Sequence, residues 1–543
     1  MKILFGKKKT LYTFLFFSIF LLFGILIFSD YGISIDEDNT RIVGFLSLEN
    51  ILNFFSSDHL IKINEIIFEK KQEHSNLDIV PTSGVVFDLP MAFLELIFKV
   101  EDSRNYYLLR HLSNFLIFFT SVYFFFKIVR HRFNSYLMGI LGATLLIISP
   151  RIFANSFYNN KDIIFMSIFI INIYFAIKFL EKSNIKNAAI FSLTTGLLIN
   201  IRIFGLILPF LIFLLYIIKV LRHEQNKRQP YLPLLVFIVL TPIFIFLFWP
   251  YLWENPLQNL IYSFKYLDAH TLNFYTYYLG EYALSVNLPW HYHLVWIFIS
   301  TPLLYVVLFV IGFVFIFKRI LQRLFKIEKN ESYVDLWRSS KELQDLMFLL
   351  IFLIPVIIAI DTRQLFYDGW RHLYFIYPSF LLISLYGFYL IKIVFFKKKT
   401  NNLYLFIFIL IIPTIFWMFK NHPHQNIYFN ILARQNFNEN FEMDYFGTTN
   451  KSALEYIISQ ENKTVKVYSL STTDLSLSKE IIKKSVRDNI IIVHDPIIAD
   501  YIITNYRDWR GEINPTNIIV PNNFKIIYEI KVDDIPVNTI YKK

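Results

Sequence analysis

The chain has 543 residues, 55% of them hydrophobic and 19% aromatic, with only 17% charged, where a soluble domain carries roughly 25%. Repeated apolar runs of about 18 residues or more mark a polytopic membrane protein. The net charge of +11 sits in short Lys/Arg clusters beside those runs, a positive-inside bias that makes nucleic acid a poor partner. With no cysteine, disulfides, thiolate metal sites and thiol nucleophiles are excluded.

The first apolar run, 11–29, follows Lys7, Lys8 and Lys9 and has no small-x-small cleavage site before Asp30, so it predicts an uncleaved first span with the N-terminus inside. Further spans are predicted at 108–127, 135–150, 162–180, 187–201, 203–219, 231–248, 294–318, 346–360, 372–395 and 402–419, about eleven crossings in all. The basic clusters at 127–132, 178–186, 219–228, 318–329 and 397–399 then share the inner side, and the C-terminus falls outside.

The outer side receives a long first loop, 30–107, in which 42–55 and 84–100 read as amphipathic or re-entrant helices. It also receives short loops at 149–162 and 361–372, and an aromatic-rich loop at 249–292 with Trp249, Trp253 and Trp290 suited to an interfacial belt. Beyond the last span, 464–471, 489–493 and 524–531 read as strands and 478–485 as a helix start. The expectation is an all-α polytopic membrane bundle over 1–419, followed by a small soluble α/β domain over 420–543.

Two sets of charges stand out on that outer side. Asp36, Glu37 and Asp38 emerge just past the first span, where adjacent carboxylates could supply a general base or an ion site. The alternative is a helix cap, which Asp38 before Asn39 and Thr40 fits. Arg151, Lys161, Arg202, Arg363 and Arg371 are basic where orientation does not call for them, and guanidinium groups suit bidentate phosphate recognition. Snorkelling to headgroups is the plain explanation for any one of them. Lys161-Asp162 could equally be a helix-start ion pair. His291-Tyr-His293 and His422-Pro-His424 have metal-like spacing but no clear third ligand, which favours interfacial histidines. Walker, Rossmann and nucleophile-elbow patterns are absent.

Several motifs are shared with one family. They are Asp36-Glu37, Ser149-Pro-Arg-Ile-Phe-Ala followed by Asn159-Asn-Lys-Asp162, Asn200-Ile-Arg202, Asp368-Gly-Trp-Arg-His372, His422-Pro-His-Gln-Asn-Ile-Tyr-Phe-Asn430 and Phe441-Glu-Met-Asp-Tyr-Phe-Gly447. With the many-span layout, the chain resembles the GT-C superfamily of membrane glycosyltransferases, in its protein O-mannosyltransferase-like (dolichyl-phosphate-mannose-protein mannosyltransferase) branch and as a bacterial member.

The resemblance implies a polyprenyl-phosphate-linked sugar as donor and transfer at the outer face of the bacterial inner membrane. It makes Asp36 the base, with Glu37 beside it, and assigns substrate binding to Arg151, Lys161, Asp162, Arg202, Arg363, Arg371 and His372. A divalent metal on acidic residues of the first two loops, Asp162 among them, stays open. The β-trefoil insertion of the eukaryotic enzymes has no counterpart, so the acceptor could be protein, lipid or glycan. The competing class is a transporter or flippase for a lipid-linked or anionic substrate, using the same charges; it predicts broken helices and inverted repeats. A non-catalytic scaffold would leave the charged rim unexplained.

Overall fold

The computed structural model describes residues 2–54, 84–221, 231–269, 273–325, 336–362, 367–396, 400–461, 463–512 and 519–543. In a bilayer each backbone N–H must find its partner inside its own segment, so the apolar runs become helices. In chain order these are α1 (Lys2–Ile27), α2 (Ile35–Phe54), α3 (Asp88–Ile97), α4 (Ser103–Phe133), α5 (Tyr136–Ile147), α6 (Pro150–Tyr158), α7 (Asp162–Glu181), α8 (Ile185–Ile201), α9 (Ile207–Leu221) and α10 (Tyr231–Phe248). There follow α11 (Pro256–Ala269), the hairpin β1 (Tyr275–Tyr278) and β2 (Glu281–Leu284), α12 (Tyr292–Ile299), α13 (Leu303–Phe325), α14 (Ser340–Thr362), α15 (Tyr377–Phe395) and α16 (Thr400–Lys420).

Nine of the described helices are long and apolar enough to cross a membrane, or ten if the bent pair α5–α6 counts as one span. The chain is a multi-pass membrane protein, with fewer crossings among the described residues than the eleven expected. Two differences account for this. The α8 helix has 17 residues, about 25 Å at 1.5 Å per residue, short of a bilayer core, whereas α9 together with the 3-10 turn Ile203–Leu206 before it makes 19. The expected span at 135–150 ends early, because Pro150 lacks an N–H and opens a new helix, α6, at 68° to α5. The run at 294–318 is likewise interrupted, between Ile299 and Leu303, at Ser300-Thr301-Pro302.

Packing between the long helices uses small residues. A Cβ on Gly312 of α13 would lie 2.0 Å from the Ile383 carbonyl oxygen, and one on Gly387 of α15 would lie 2.1 Å from that of Leu308. The two backbones therefore touch through reciprocal glycines, and alanine at either would push them apart.

Between the first two spans, helices form at both expected places, α2 and α3. The acidic cluster is the first turn of α2, where carboxylates favour the helix dipole. Asp38 is not the cap, however: it lies within the helix and accepts a hydrogen bond from the Tyr107 hydroxyl at 3.1 Å. Trp249 is buried at 1% exposure rather than sitting in an aromatic belt, whereas Trp290 is exposed.

The C-terminal region is built from α17 (Thr449–Gln460), β3 (Val465–Ser469), α18 (Leu475–Lys479), α19 (Lys484–Arg487), β4 (Ile490–Ile492), β5 (Tyr501–Thr504), β6 (Lys525–Val532) and β7 (Ile535–Lys542). The sheet order is β4-β3-β5-β7-β6. β4, β3 and β5 run parallel, and β7 and β6 are added antiparallel. The three expected strands are present, while β5, β7 and the hairpin β1–β2 were not foreseen. β5 is a four-residue strand, and a run so short carries little alternation.

The sheet is clamped onto the bundle. Lys451 Nζ donates to the carbonyls of Ser29 and Asp30 at 2.7 and 2.9 Å. Arg487 pairs with Asp102 at 3.2 Å, and Trp417 Nε1, at the end of α16, donates to the Asp533 carboxylate in the β6–β7 turn. One apolar core runs through both parts, joining Phe118 and Phe169 of the bundle to Val467 and Ile503 of the sheet.

Candidate active site

Four interruptions of regular structure bring charged side chains to one place. Asp36 comes from the first turn of α2. Lys161 and Asp162 open α7, where Asn159 Oδ1 accepts from the Asp162 N–H at 2.8 Å and Asn159 Nδ2 donates to the Asp162 carboxylate at 3.1 Å. Arg202 ends α8 in an extended conformation, φ −149° and ψ 137°, which turns its side chain out of the helix. Arg371 and His372 begin a 3-10 turn, Arg371–Ile376, reached through the left-handed pair Asp368 (φ 54°) and Gly369 (φ 72°). Asp368 tolerates that conformation better than a branched residue would.

Arg371 is the hub. It pairs with Asp36 through Nη1, with Asp368 through Nη2 at 3.0 Å, and lies 3.8 Å from Asp162. Its guanidinium is also set against the rings of Tyr367 and Phe446, at 5.3 and 5.1 Å. Arg202 pairs with Asp162, so Asp162 faces two arginines and the expected Lys161–Asp162 pair does not form. Among the described residues Lys161 makes no hydrogen bond or ion pair, and the Nε atoms of Arg202 and Arg371 are buried without an acceptor. The cluster therefore has donors to spare.

Within this group Asp36 is the carboxylate that reaches open space, with its side chain 34% exposed against 2% for Asp162. Burial pushes its pKa up, but Arg371, with Lys161 and Arg202 behind it, more than reverses this and holds it below the usual carboxylate value. Burial and the Arg202 charge bring the Lys161 ammonium down to about 8, despite the pull of Asp36 and Asp162.

The remaining sequence candidates fall elsewhere. Glu37 is fully buried and turned away from Asp36; it accepts from the Ser34 N–H at 2.7 Å and pairs with His111 at 3.1 Å. Arg151 is buried between Trp296 and Phe429, each 5.1 Å away, and donates to the Tyr428 carbonyl at 3.3 Å. It joins none of the ion pairs above. His372 lies edge-on to the Tyr367 ring at 4.7 Å. Arg363 lies outside the described residues. Of the histidines expected at an interface, His293 and His424 are buried, and His422 pairs with Asp30 at 2.9 Å.

Reading the sequence for site residues missed Asp368, Glu442 and Arg507. Arg507 reaches in from the loop after β5, pairing with Asp368 at 2.8 Å and with Glu442. Asp368 and Glu442 do lie in motifs quoted above, Asp368-Gly-Trp-Arg-His372 and Phe441-Glu-Met-Asp-Tyr-Phe-Gly447, whereas Arg507 lies in none. A second buried network lies behind α2, where Glu95 takes Arg41 and Arg110, both at 2.9 Å, and Arg110 also reaches Asp88 at 3.0 Å. Burial raises Asp88 to about 6 against the pull of Arg110. Asp36, Asp162 and Asp368 each face a guanidinium, a poor fit to a divalent cation, and among the described residues no three His, Asp or Glu side chains converge as metal ligands.

Residues 89–249 match the family model of dolichyl-phosphate-mannose-protein mannosyltransferase, a stretch that holds Lys161, Asp162 and Arg202. No curated protein matches the chain. Among solved structures, ArnT from Cupriavidus metallidurans bound to undecaprenyl phosphate aligns at 9% identity over 97% of this chain and 97% of that one, with a TM-score of 0.46. The apo state of ArnT from the same organism aligns at 10% identity over 98% of both chains, with a TM-score of 0.47. The family likeness thus rests on residues 89–249, less than a third of the chain.

Proposed function

We propose that the protein transfers a sugar from a polyprenyl-phosphate donor to an acceptor hydroxyl at the outer membrane face, with Asp36 as general base. The observation that carries this is that Arg371 pairs with Asp36, the most open carboxylate of a cluster in which Arg202 takes Asp162 and Lys161 stands next to it in sequence. Spare N–H donors beside a carboxylate suit a site that takes an anion and a hydroxyl together.

In this reading the acceptor oxygen attacks the anomeric carbon, the bond from that carbon to the phosphate oxygen breaks, and polyprenyl phosphate leaves with the bonding pair. The hydroxyl proton passes to Asp36. Lys161, Arg202 and Arg371 stabilise the charge that grows on the leaving phosphate, while the ordered loops hold donor and acceptor together.

Without donor, Asp36 is a weak base because Arg371 neutralises it. A phosphate drawn to Arg371 competes for that cation and raises the basicity of Asp36, so the base is activated only when donor is present. Asp88, at about 6, has the more favourable basicity, but its side chain is 14% exposed against 34% for Asp36.

The test is release of polyprenyl phosphate from polyprenyl-phosphate sugars by purified protein, with Asp36→Asn losing release at unchanged expression. Full release by Asp36→Asn would remove Asp36 as base. One observation favours the transporter reading: the helices are interrupted at Ser149-Pro150, Arg202 and Ser300–Pro302. Movement of labelled lipid-linked sugar across vesicles, with no donor in a panel turned over, would establish transport instead.

A further inference from the structure

Arg507 belongs to the C-terminal sheet region yet ends in the charge cluster of the membrane bundle. It follows β5, at the carboxyl ends of the parallel strands, the edge where open α/β sheets place their functional loops. Its backbone is held there: the Arg507 carbonyl accepts from the Thr472 N–H at 2.9 Å and from the Thr472 hydroxyl at 3.1 Å. The preceding Tyr506 has φ 63°, and its hydroxyl bonds that of Thr539 on β7 at 2.5 Å. Asn505 Nδ2 donates to the Asp444 carbonyl at 2.9 Å. The side chain is 8% exposed.

The decisive contact is a shared carboxylate. Asp368 gives Oδ1 to Arg507 at 2.8 Å and Oδ2 to Arg371 at 3.0 Å. Arg507 in turn is held by Glu442, which also accepts from the Thr276 hydroxyl at 3.1 Å. A continuous line of alternating charge thus runs Asp36, Arg371, Asp368, Arg507, Glu442. If Arg507 were neutral, Asp368 would keep a full negative charge beside Arg371 with no second cation among the described residues. Arg371 would then be drawn into a two-point pair with Asp368, away from Asp36 and from any bound anion.

We propose that Arg507 is a positioning residue: by occupying half of Asp368 it leaves Arg371 free to face Asp36 and the donor phosphate. This rests on the phosphate reading given above. It makes the C-terminal region a working part of the membrane site.

The test is binding of undecaprenyl phosphate to the full-length protein in lipid nanodiscs, alongside sugar transfer. Arg507→Gln is expected to weaken binding about tenfold, and Arg507→Lys, which keeps the charge but not the fork, to weaken it less. Adding Asp368→Asn to Arg507→Gln is expected to recover most of the loss, because the unbalanced carboxylate is gone. A merely structural arginine would not be rescued this way. If Arg371→Ala weakens binding but Arg507→Gln does not, the positioning role is overturned and the phosphate reading stands. If the double variant is worse than Arg507→Gln, the coupling through Asp368 is overturned. If Arg371→Ala and Lys161→Ala both bind as the parent protein does, the phosphate reading fails and this role falls with it.

Discussion

Two ionic clusters lie at opposite ends of the same helices, and they are built differently. At the end of α4 and the start of α14, Arg132 grips Asp345 with two parallel bonds, Nε to Oδ1 and Nη2 to Oδ2, both 2.7 Å. Arg319 adds a third at 2.8 Å, and the Asp345 side chain is 4% exposed. Both carboxylate oxygens are used, in the best geometry a guanidinium offers. At the other end, past α14, the Asp36–Arg371–Asp162–Arg202 cluster uses single-point contacts, leaves two guanidinium Nε atoms unmatched and holds Lys161 without a described partner. Unmatched buried donors cost about 1–3 kcal/mol each. The first cluster is a closed clamp that joins helices; the second keeps capacity for something that arrives.

The contrast is broken most directly by removing one carboxylate from each cluster. Asp36→Asn should cut sugar transfer by about 10²–10⁴-fold, the usual contribution of a positioned base, with little change in thermal stability. Asp345→Ala should do the reverse. It leaves Arg132 and Arg319 without their carboxylate, and unfolding should become easier by about 3–5 kcal/mol, measured by thermal denaturation in detergent. Undecaprenyl phosphate affinity of the folded fraction should be unchanged. If Asp345→Ala lowered that affinity and left stability intact, the distinction between clamp and site would be wrong.

Smaller effects sharpen the picture. Lys161 titrates near 8, so the ammonium's contribution is complete below that pH and is lost as pH rises through it. Asp36 is depressed, so it remains a carboxylate well below neutrality. Between pH 5 and 7, roughly, kcat/KM should be flat, then fall above about 8, since this ratio reports the free enzyme. In Lys161→Arg the fall should move to much higher pH; an unmoved basic limb would assign it to another group. The smallest effect belongs to Arg323→Gln. The Arg323–Glu342 pair is partly solvated, with side chains 16% and 21% exposed, and its loss should cost about 1 kcal/mol or less by the same denaturation measurement.

The membrane class, the C-terminal strands at β3, β4 and β6, and the candidacy of Asp36, Lys161, Asp162, Arg202 and Arg371, which the fold brings to one place, were legible in the chain. Each depends on local information: apolar run length, short β-rich stretches, and charges placed beside spans. What was not legible depends on what packs against what. Arg151 and Glu37 carry the same sequence credentials as Arg202 and Asp36. They differ because α6 turns Arg151 between Trp296 and Phe429, and because one residue further along the first turn of α2 faces His111 instead of the opening.

Composition and hydropathic run length alone determined that this chain folds in lipid as a helical bundle, because a bilayer leaves the backbone few other solutions. They also determined that the loops between spans carry both signs of charge. Only the tertiary structure decided which of those charges meet. Arg507 follows a four-residue strand whose own sequence shows nothing of the membrane site, and it arrives beside Asp368 because the sheet is clamped at Ser29, Asp102 and Trp417. Long-range ion pairs have no period and no local signature: they are fixed by where packed elements place their ends.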